Sequence, residues 1–118
     1  MVQPKILLDA LIKHKNILVA TRDSAEVLYN RRRRSIIRIE RYLNHREQIG
    51  FPNPAHRLAV EKIKLKCEQE NRDMLYWYDK VDVVSKSICK MRAVVRGKTK
   101  QCPRKIMVDF LMYGVVNG

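Results

Sequence analysis

Residues 60–95 read VEKIKLKCEQENRDMLYWYDKVDVVSKSICKMRAVV. One series of side chains runs through this stretch at alternating three- and four-residue steps, and all its members except one glutamate are apolar or thiol. The series is Val60, Ile63, Cys67, Glu70, Met74, Trp77, Val81, Val84, Ile88, Met91 and Val95. Such steps return side chains to the same side of a helix, so this pattern predicts a helix that buries one seam against another helix. A core helix of an ordinary bundle is the alternative, but the absence of Gly and Pro favours a long rod.

A similar apolar pattern lies upstream and predicts a first helix over residues 4–49. Pro4 suits the first turn of a helix, because the N–H that proline lacks would have no partner there. A new helix start near Thr21–Ser24, resembling a capping box, is the alternative. We predict one continuous helix because the apolar phase is unchanged across that point.

The strongest break in the chain is GFPNP, residues 50–54. Gly50 can take the left-handed position that follows a helix, and Asn53 and Pro54 suit the cap and first position of the next one. We therefore predict a turn over residues 50–53 and a second helix over residues 54–96. A connection this short predicts antiparallel neighbours.

The remaining chain is predicted as a basic loop, residues 97–102, and a third helix, residues 103–116. This third helix is apolar nearly all round and is therefore expected to be buried. It can pack at the open end of the hairpin or form a dimer contact. The fold class is thus predicted as all-α: a long antiparallel, coiled-coil-like hairpin plus a short C-terminal helix, in one helical domain spanning residues 1–118.

A second apolar stripe on helix two lies opposite the main seam, and we predict that it forms an interface together with two residues of the third helix. The predicted interface residues are Leu58, Leu65, Tyr76, Val83, Val94, Phe110 and Leu111. A two-helix hairpin buries little surface by itself, so a homo-oligomer or a helical protein partner is expected. Scattered surface apolar residues are the alternative explanation.

The formal net charge of +13 predicts an anionic partner. Residues 86–105 carry eight bases and no acid, and the predicted register sets them beside residues 1–20. From this run we take four side chains as candidate phosphate ligands: Lys98, Lys100, Arg104 and Lys105.

A second basic feature lies on helix one, where four arginines occur in a row at residues 31–34. At about 100° per residue, one subset falls within roughly 80° of arc, opposite the apolar seam. The subset is Arg31, Arg34, Arg38 and Arg41, followed by His45. Guanidinium groups match phosphate oxygens bidentately, so we interpret the subset as a phosphate-binding track; a merely solvated helix face is the alternative.

The predicted register also places Arg32 near Glu70, each being the polar break in its own apolar seam. We predict a buried ion pair that specifies register more than it adds stability. In the alternative, both side chains reach into water.

The sequence contains no recognisable catalytic or metal-binding spacing. The three histidines are isolated, the three cysteines show no metal spacing, and the glycines form no phosphate loop. We therefore predict no enzyme activity, no metal and no cofactor. We find no secretory signal and no apolar run of membrane-span length, and the cysteines fit reduced thiols, so we expect an intracellular protein without a membrane span.

These features together predict a non-enzymatic assembly protein, nuclear or viral, that binds the phosphate backbone of nucleic acid without reading sequence. DNA and RNA remain equal alternatives. The competing hypothesis is a protein-binding adaptor in a nuclear complex, whose positive charge serves an acidic or helical partner or nuclear import rather than nucleic acid.

Overall fold

A computed structural model describes the backbone of residues 3–117 and the side chains of residues 3–112. It contains three helices, α1 (Pro4–Gln48), α2 (Pro54–Val95) and α3 (Pro103–Asn117), and no strand within those residues. The first two helices pack as an antiparallel hairpin, which confirms the predicted all-α fold with a short C-terminal helix. Each observed boundary lies within one residue of its prediction. No helix in the described part of the chain is long and apolar enough to cross a membrane.

Helix α1 is continuous through Thr21–Ser24. The hydroxyl of Thr21 donates a hydrogen bond to the carbonyl oxygen of Ile17, one turn earlier, at 3.0 Å. This is the bond that a threonine makes in a helix interior, whereas a capping threonine accepts a hydrogen bond from an N–H ahead of it. The alternative of a second helix start is therefore wrong.

Two glycines end the long helices in the same way. Gly50 and Gly97 have φ angles of +86° and +70°, which a side chain rarely allows. At the first, the N–H of Phe51 donates to the carbonyl of Arg46 at 2.8 Å. The N–H of Lys98 makes the equivalent bond to Ala93 at 2.9 Å. These Schellman motifs satisfy the last carbonyls of each helix.

Helix α2 begins as its sequence predicts. The side-chain oxygen of Asn53 accepts a hydrogen bond from the N–H of His56 at 3.1 Å, which is the bond of a helix N-cap. Pro54 occupies the first helical position behind it.

The chain forms two compact units, one of residues 1–22 with 76–118 and one of residues 23–75. We call them the terminal unit and the turn unit. The core of the terminal unit combines side chains of all three helices: Leu11, Leu18, Val81, Val84, Ile88, Met91 and Ile106. Leu7, Leu8 and Ile12 pack against the same core, which confirms that α3 packs on the start of α1.

Within residues 103–112, whose side chains the structure describes, helix α3 is buried on one side only, so the expectation that this apolar segment is buried is wrong for its other side. Ile106 is buried and Met107 packs beside it, but Val108, Leu111 and Met112 are exposed. The reason is geometric: α3 rests on the hairpin along one face, and nothing in the described chain covers its other face. The buried seam of α2 is also shorter than predicted. Its last predicted member, Val95, is the final residue of the helix and is 41% exposed.

The turn unit has a smaller core of Ile36, Leu43 and Val60, with Ile63 and Cys67 packed against it. Ion pairs join the two helices beside this core. Arg32 pairs with Glu70, Arg57 pairs with Glu47 at 2.8 Å, and Lys64 pairs with both Glu40 and Glu61. The hydrogen bonds to Glu40 and Glu61 raise the pKa of Lys64.

The pair between Arg32 and Glu70 confirms the register derived from the sequence, although the pair is less buried than predicted. The side chains of Arg32 and Glu70 are 38% and 22% exposed. Water therefore screens the pair in part, although Oε2 of Glu70 is buried and has no hydrogen-bond partner among the described residues. The contribution of such a partly exposed pair falls below that of a dry ion pair.

We expect Arg32→Glu and Glu70→Arg each to destabilise the protein by about 1 kcal/mol, and the double variant to recover part of the loss. The reason is that each single reversal sets two like charges side by side, whereas the double variant restores attraction. Urea unfolding of the four proteins measures the coupling. If the double variant shows the sum of the single losses, the two side chains do not interact.

Candidate functional site

The arginine stripe, which we define as Arg31, Arg34, Arg38 and Arg41, is exposed on α1 in the turn unit. The opposite face of the same helix buries Ile36 and Leu43 in the core of that unit. Within residues 3–112, none of the four guanidinium groups makes an ion pair or a side-chain hydrogen bond. Four cations thus face outward in one row without a partner among the described side chains.

Carboxylates of the turn unit pair with other bases instead. Glu70 binds Arg32, and Glu47 binds Arg57. Glu40 and Glu61 share Lys64. These contacts neutralise bases that lie between the helices and leave the arginine stripe charged.

The basic loop, which we define as Lys98, Lys100, Arg104 and Lys105, belongs to the terminal unit. All four side chains are exposed, and none pairs with an acid among the side chains that the structure describes. Thirteen bases against four acids give this unit a net charge of +9. The turn unit has twelve bases and eight acids, a net charge of +4. Most of the charge therefore lies in the unit that contains the basic loop.

The seven predicted interface residues divide into three groups. Leu58 and Leu65 are 60% and 64% exposed on α2 of the turn unit, as an interface requires. Val94 and Phe110 instead pack against the core of their own chain, so much of their surface is already occupied. The other three, Tyr76, Val83 and Leu111, line a groove.

This three-helix groove is a cavity of about 540 Å³ in the terminal unit, partly open to water. Each helix supplies apolar side chains to its walls. The wall residues are Leu11 and Leu18 of α1, Trp77 and Val83 of α2, and Met107 and Phe110 of α3. Some of these side chains also pack in the adjoining core, so the groove is continuous with that core.

Residues with exposed or polar side chains line the mouth of the groove: Ala10, His14, Tyr76, Lys80 and Leu111. The ammonium group of Lys80 lies 5.0 Å from the ring centroid of Tyr76, within the range of a cation–π contact. The ring of Tyr76 meets that of Trp77 edge-on at 5.0 Å, and His14 meets Phe110 in the same manner at 5.7 Å. The sequence analysis did not predict the groove, His14 or Lys80, because the spacing of residues along each helix does not give the distances between the helix axes.

The thiols differ in their surroundings. Cys89 and Cys102 are exposed, whereas Cys67 is half-buried beside the core of the turn unit. Burial raises the pKa of the Cys67 thiol, and the negative charge of Glu70 adds to the effect. A raised pKa lowers the thiolate fraction, so Cys67 is poorly suited to act as a nucleophile. No cluster of three or more His, Cys, Asp or Glu side chains in the described chain is placed to hold a metal ion.

The candidate site is thus defined by charge and shape rather than by a catalytic constellation. Two exposed sets of unpaired cations, the arginine stripe and the basic loop, suit an anionic polymer. The three-helix groove suits an apolar group. No protein-family model, curated protein or solved structure matches this chain.

Proposed function

We propose that this protein is a non-enzymatic, basic helical assembly protein that binds the phosphate backbone of nucleic acid independently of sequence. One observation carries the proposal: the four guanidinium groups of the arginine stripe are exposed in one row and make no ion pair with any described side chain, while four glutamates of the same unit bind other bases. A row that only kept the protein in solution would not need to be free of neighbouring acids. A guanidinium group that binds no acid can offer a phosphate its full charge and two parallel N–H donors.

The spacing of the stripe suits several consecutive phosphates. Arg31 and Arg41 are ten residues apart, which corresponds to about 15 Å along a helix. Phosphates of one strand follow one another at about 3.4 Å of rise along the duplex axis, so a stripe that lies parallel to this axis covers the axial length of about four of them. The spacing of the arginines along α1 is therefore comparable to the axial spacing of phosphates in a nucleic-acid strand.

The proposed binding is independent of sequence because residues 3–117 contain no pair of short helices joined by a tight turn, the element that reads base edges in helix-turn-helix proteins. Phosphate contacts position a protein on a duplex but carry no sequence information. The same contacts are available on DNA and on RNA. The arginine run at residues 31–34 and the basic loop also resemble basic nuclear-import segments, which supports a nuclear location.

Exposed leucines support the assembly part of the proposal. Leu58 and Leu65 lie seven residues apart on α2, so they share one face of the helix, and both are mostly exposed. This face can join a second copy or another helical protein. The same observation favours the second candidate function, an adaptor that binds only proteins, and nucleic-acid binding is what separates the two.

The proposal predicts strongly salt-dependent binding to plain nucleic acid. A fluorescent duplex of about 24 base pairs should bind, and log Kd should rise linearly with log salt between about 0.05 and 0.2 M. Duplexes of unrelated sequence should bind within about threefold of one another, because phosphates are common to all. If no binding occurs at the lowest salt, the adaptor function takes the place of this proposal.

We expect replacement of the basic loop by alanine (Lys98, Lys100, Arg104 and Lys105) to weaken binding and to lower the salt slope by roughly one unit per lost phosphate contact. A matched control removes four exposed bases outside both surfaces: Lys5, Lys13, Lys62 and Lys66. Anisotropy titrations of both variants measure affinity and slope. Equal losses would mean that only net charge matters and would remove the basic loop from the site.

A further inference from the structure

The three-helix groove is an apolar surface that the described side chains, residues 3–112, line without closing it. Its walls continue the core of the terminal unit and enclose about 540 Å³ between the helices. At its mouth, Ala10 is too small to close it, and Leu111 is 60% exposed rather than folded inward. An apolar cavity of this size at a junction of helices is within the range of ligand and anchor sites.

Charge indicates the kind of partner. Among the described residues, no carboxylate lines the groove, whereas Lys80 does line it, beside the ring of Tyr76. The terminal unit that contains it has a net charge of +9. A second copy would bring the same positive charge to the contact, which opposes association, whereas an acidic partner is attracted.

The shape of the three-helix groove further restricts the kind of partner that can bind there. A small-molecule site buries 70–90% of a drug-sized ligand, and an open groove does not enclose a ligand to that extent. An amphipathic helix lays only its apolar face into a groove and leaves its polar face in water. The open mouth and the long apolar walls formed by three helices suit this second mode.

We propose that the three-helix groove is the docking site for the apolar face of an acidic amphipathic helix of a partner protein. Leucine-sized side chains of that helix fill the cavity beside Trp77 and Phe110, and its carboxylates face the positive field of the terminal unit. The groove shares no residue with the arginine stripe or the basic loop, so this interaction does not depend on nucleic-acid binding.

Trp77 provides the signal for the test, because it is the only tryptophan of the chain and it lines the groove. The probe is a peptide of about 18 residues with leucines at positions i, i+3, i+4 and i+7 and glutamates elsewhere. One control peptide has the same composition with the leucines distributed around the helix, and another replaces glutamate by lysine. The first peptide should shift Trp77 emission to shorter wavelength with saturation, and both controls should bind at least about tenfold more weakly.

Two neighbouring residues of α3 provide matched variants. Leu111 and Met112 are 60% and 54% exposed, but only Leu111 lines the groove. Leu111→Glu should weaken peptide binding at least about tenfold, because it sets a carboxylate at the mouth of the groove. Met112→Glu should change it by less than about twofold. Duplex binding by Leu111→Glu should equal that of the natural protein, which separates this proposal from the phosphate-binding one.

Several results would overturn the proposal. Equal binding of the leucine-scattered or lysine peptide would mean that the groove does not select an acidic amphipathic helix. Equal peptide binding by Leu111→Glu and Met112→Glu would place the peptide elsewhere. If sedimentation shows a dimer that only Leu111→Glu converts to monomer, while the peptide leaves Trp77 emission unchanged, the occupant is a second copy.

Discussion

Val84→Asp is expected to unfold the terminal unit. Val84 is fully buried, with 0% exposure, among Leu18, Val81 and Ile88 in the core of that unit. A carboxylate there loses its water and gains no cation partner in the core, at a cost of several kcal/mol, about 3 to 5 or more. Small proteins have a total stability of about 5 to 15 kcal/mol, so one such change removes a large part of it. Far-UV circular dichroism with urea titration should show lost helix or a strongly lowered midpoint.

The matched control is Val95→Asp, which makes the same chemical change at the exposed end of the same helix. It should cost less than about 1 kcal/mol, mostly through an unfavourable carboxylate near a helix C-terminus. A Val84→Asp protein as stable as Val95→Asp would contradict the packing of the terminal unit. A strand-dominated spectrum of the natural protein would contradict the fold itself.

The second large effect concerns the arginine stripe. Reversing Arg34, Arg38 and Arg41 to Glu should weaken duplex binding by at least about 100-fold near 0.15 M salt and lower the salt slope by about three units. Each lost phosphate contact removes its released counterion, and each new carboxylate repels the backbone. Because these side chains are exposed opposite the buried Ile36 and Leu43, the fold should survive. Anisotropy titrations across salt concentrations measure both quantities.

Three exposed bases on α2 of the same turn unit provide the control. Reversing Lys62, Lys66 and Arg72 to Glu changes the net charge by the same amount and leaves the stripe intact. Its effect should stay below about tenfold, because screened charges away from the contact act only through the long-range field. If the two triple variants weaken binding equally, the stripe is a solvated helix face. If neither weakens it while helix content is unchanged, the adaptor hypothesis replaces nucleic-acid binding.

Local chemistry explains why so much of the fold is predictable. The three- and four-residue steps of the seam require a helix, and Gly50, Asn53 and Gly97 supply the backbone conformations and caps that end or begin one. These signals act over four or five residues, so they can be read along the chain. The register between the two long helices is not a local property, yet the sequence also predicts it. The reason is that Arg32 and Glu70 are the polar breaks in two apolar seams that face each other.

Part of the candidate site follows from the same local rules. Angular position on a helix placed the arginine stripe opposite the apolar seam, and all four of its side chains are exposed. What helix geometry does not specify is whether an exposed base has an acid beside it. Lys64 has two such acids and Arg34 has none, and this difference depends on which side chains the packed hairpin brings within reach.

Tertiary packing alone decides which side of an apolar helix is covered. Helix α3 carries large apolar side chains all round, but it rests on α1 and α2 along one face, so Ile106 is buried and Leu111 is exposed. The three-helix groove arises in the same way, because Ala10, Lys80 and Phe110 are far apart in the chain and meet only when the three helices pack. Periodicity encodes the direction of each side chain from its own helix axis, whereas a cavity depends on the distances between axes, which packing determines.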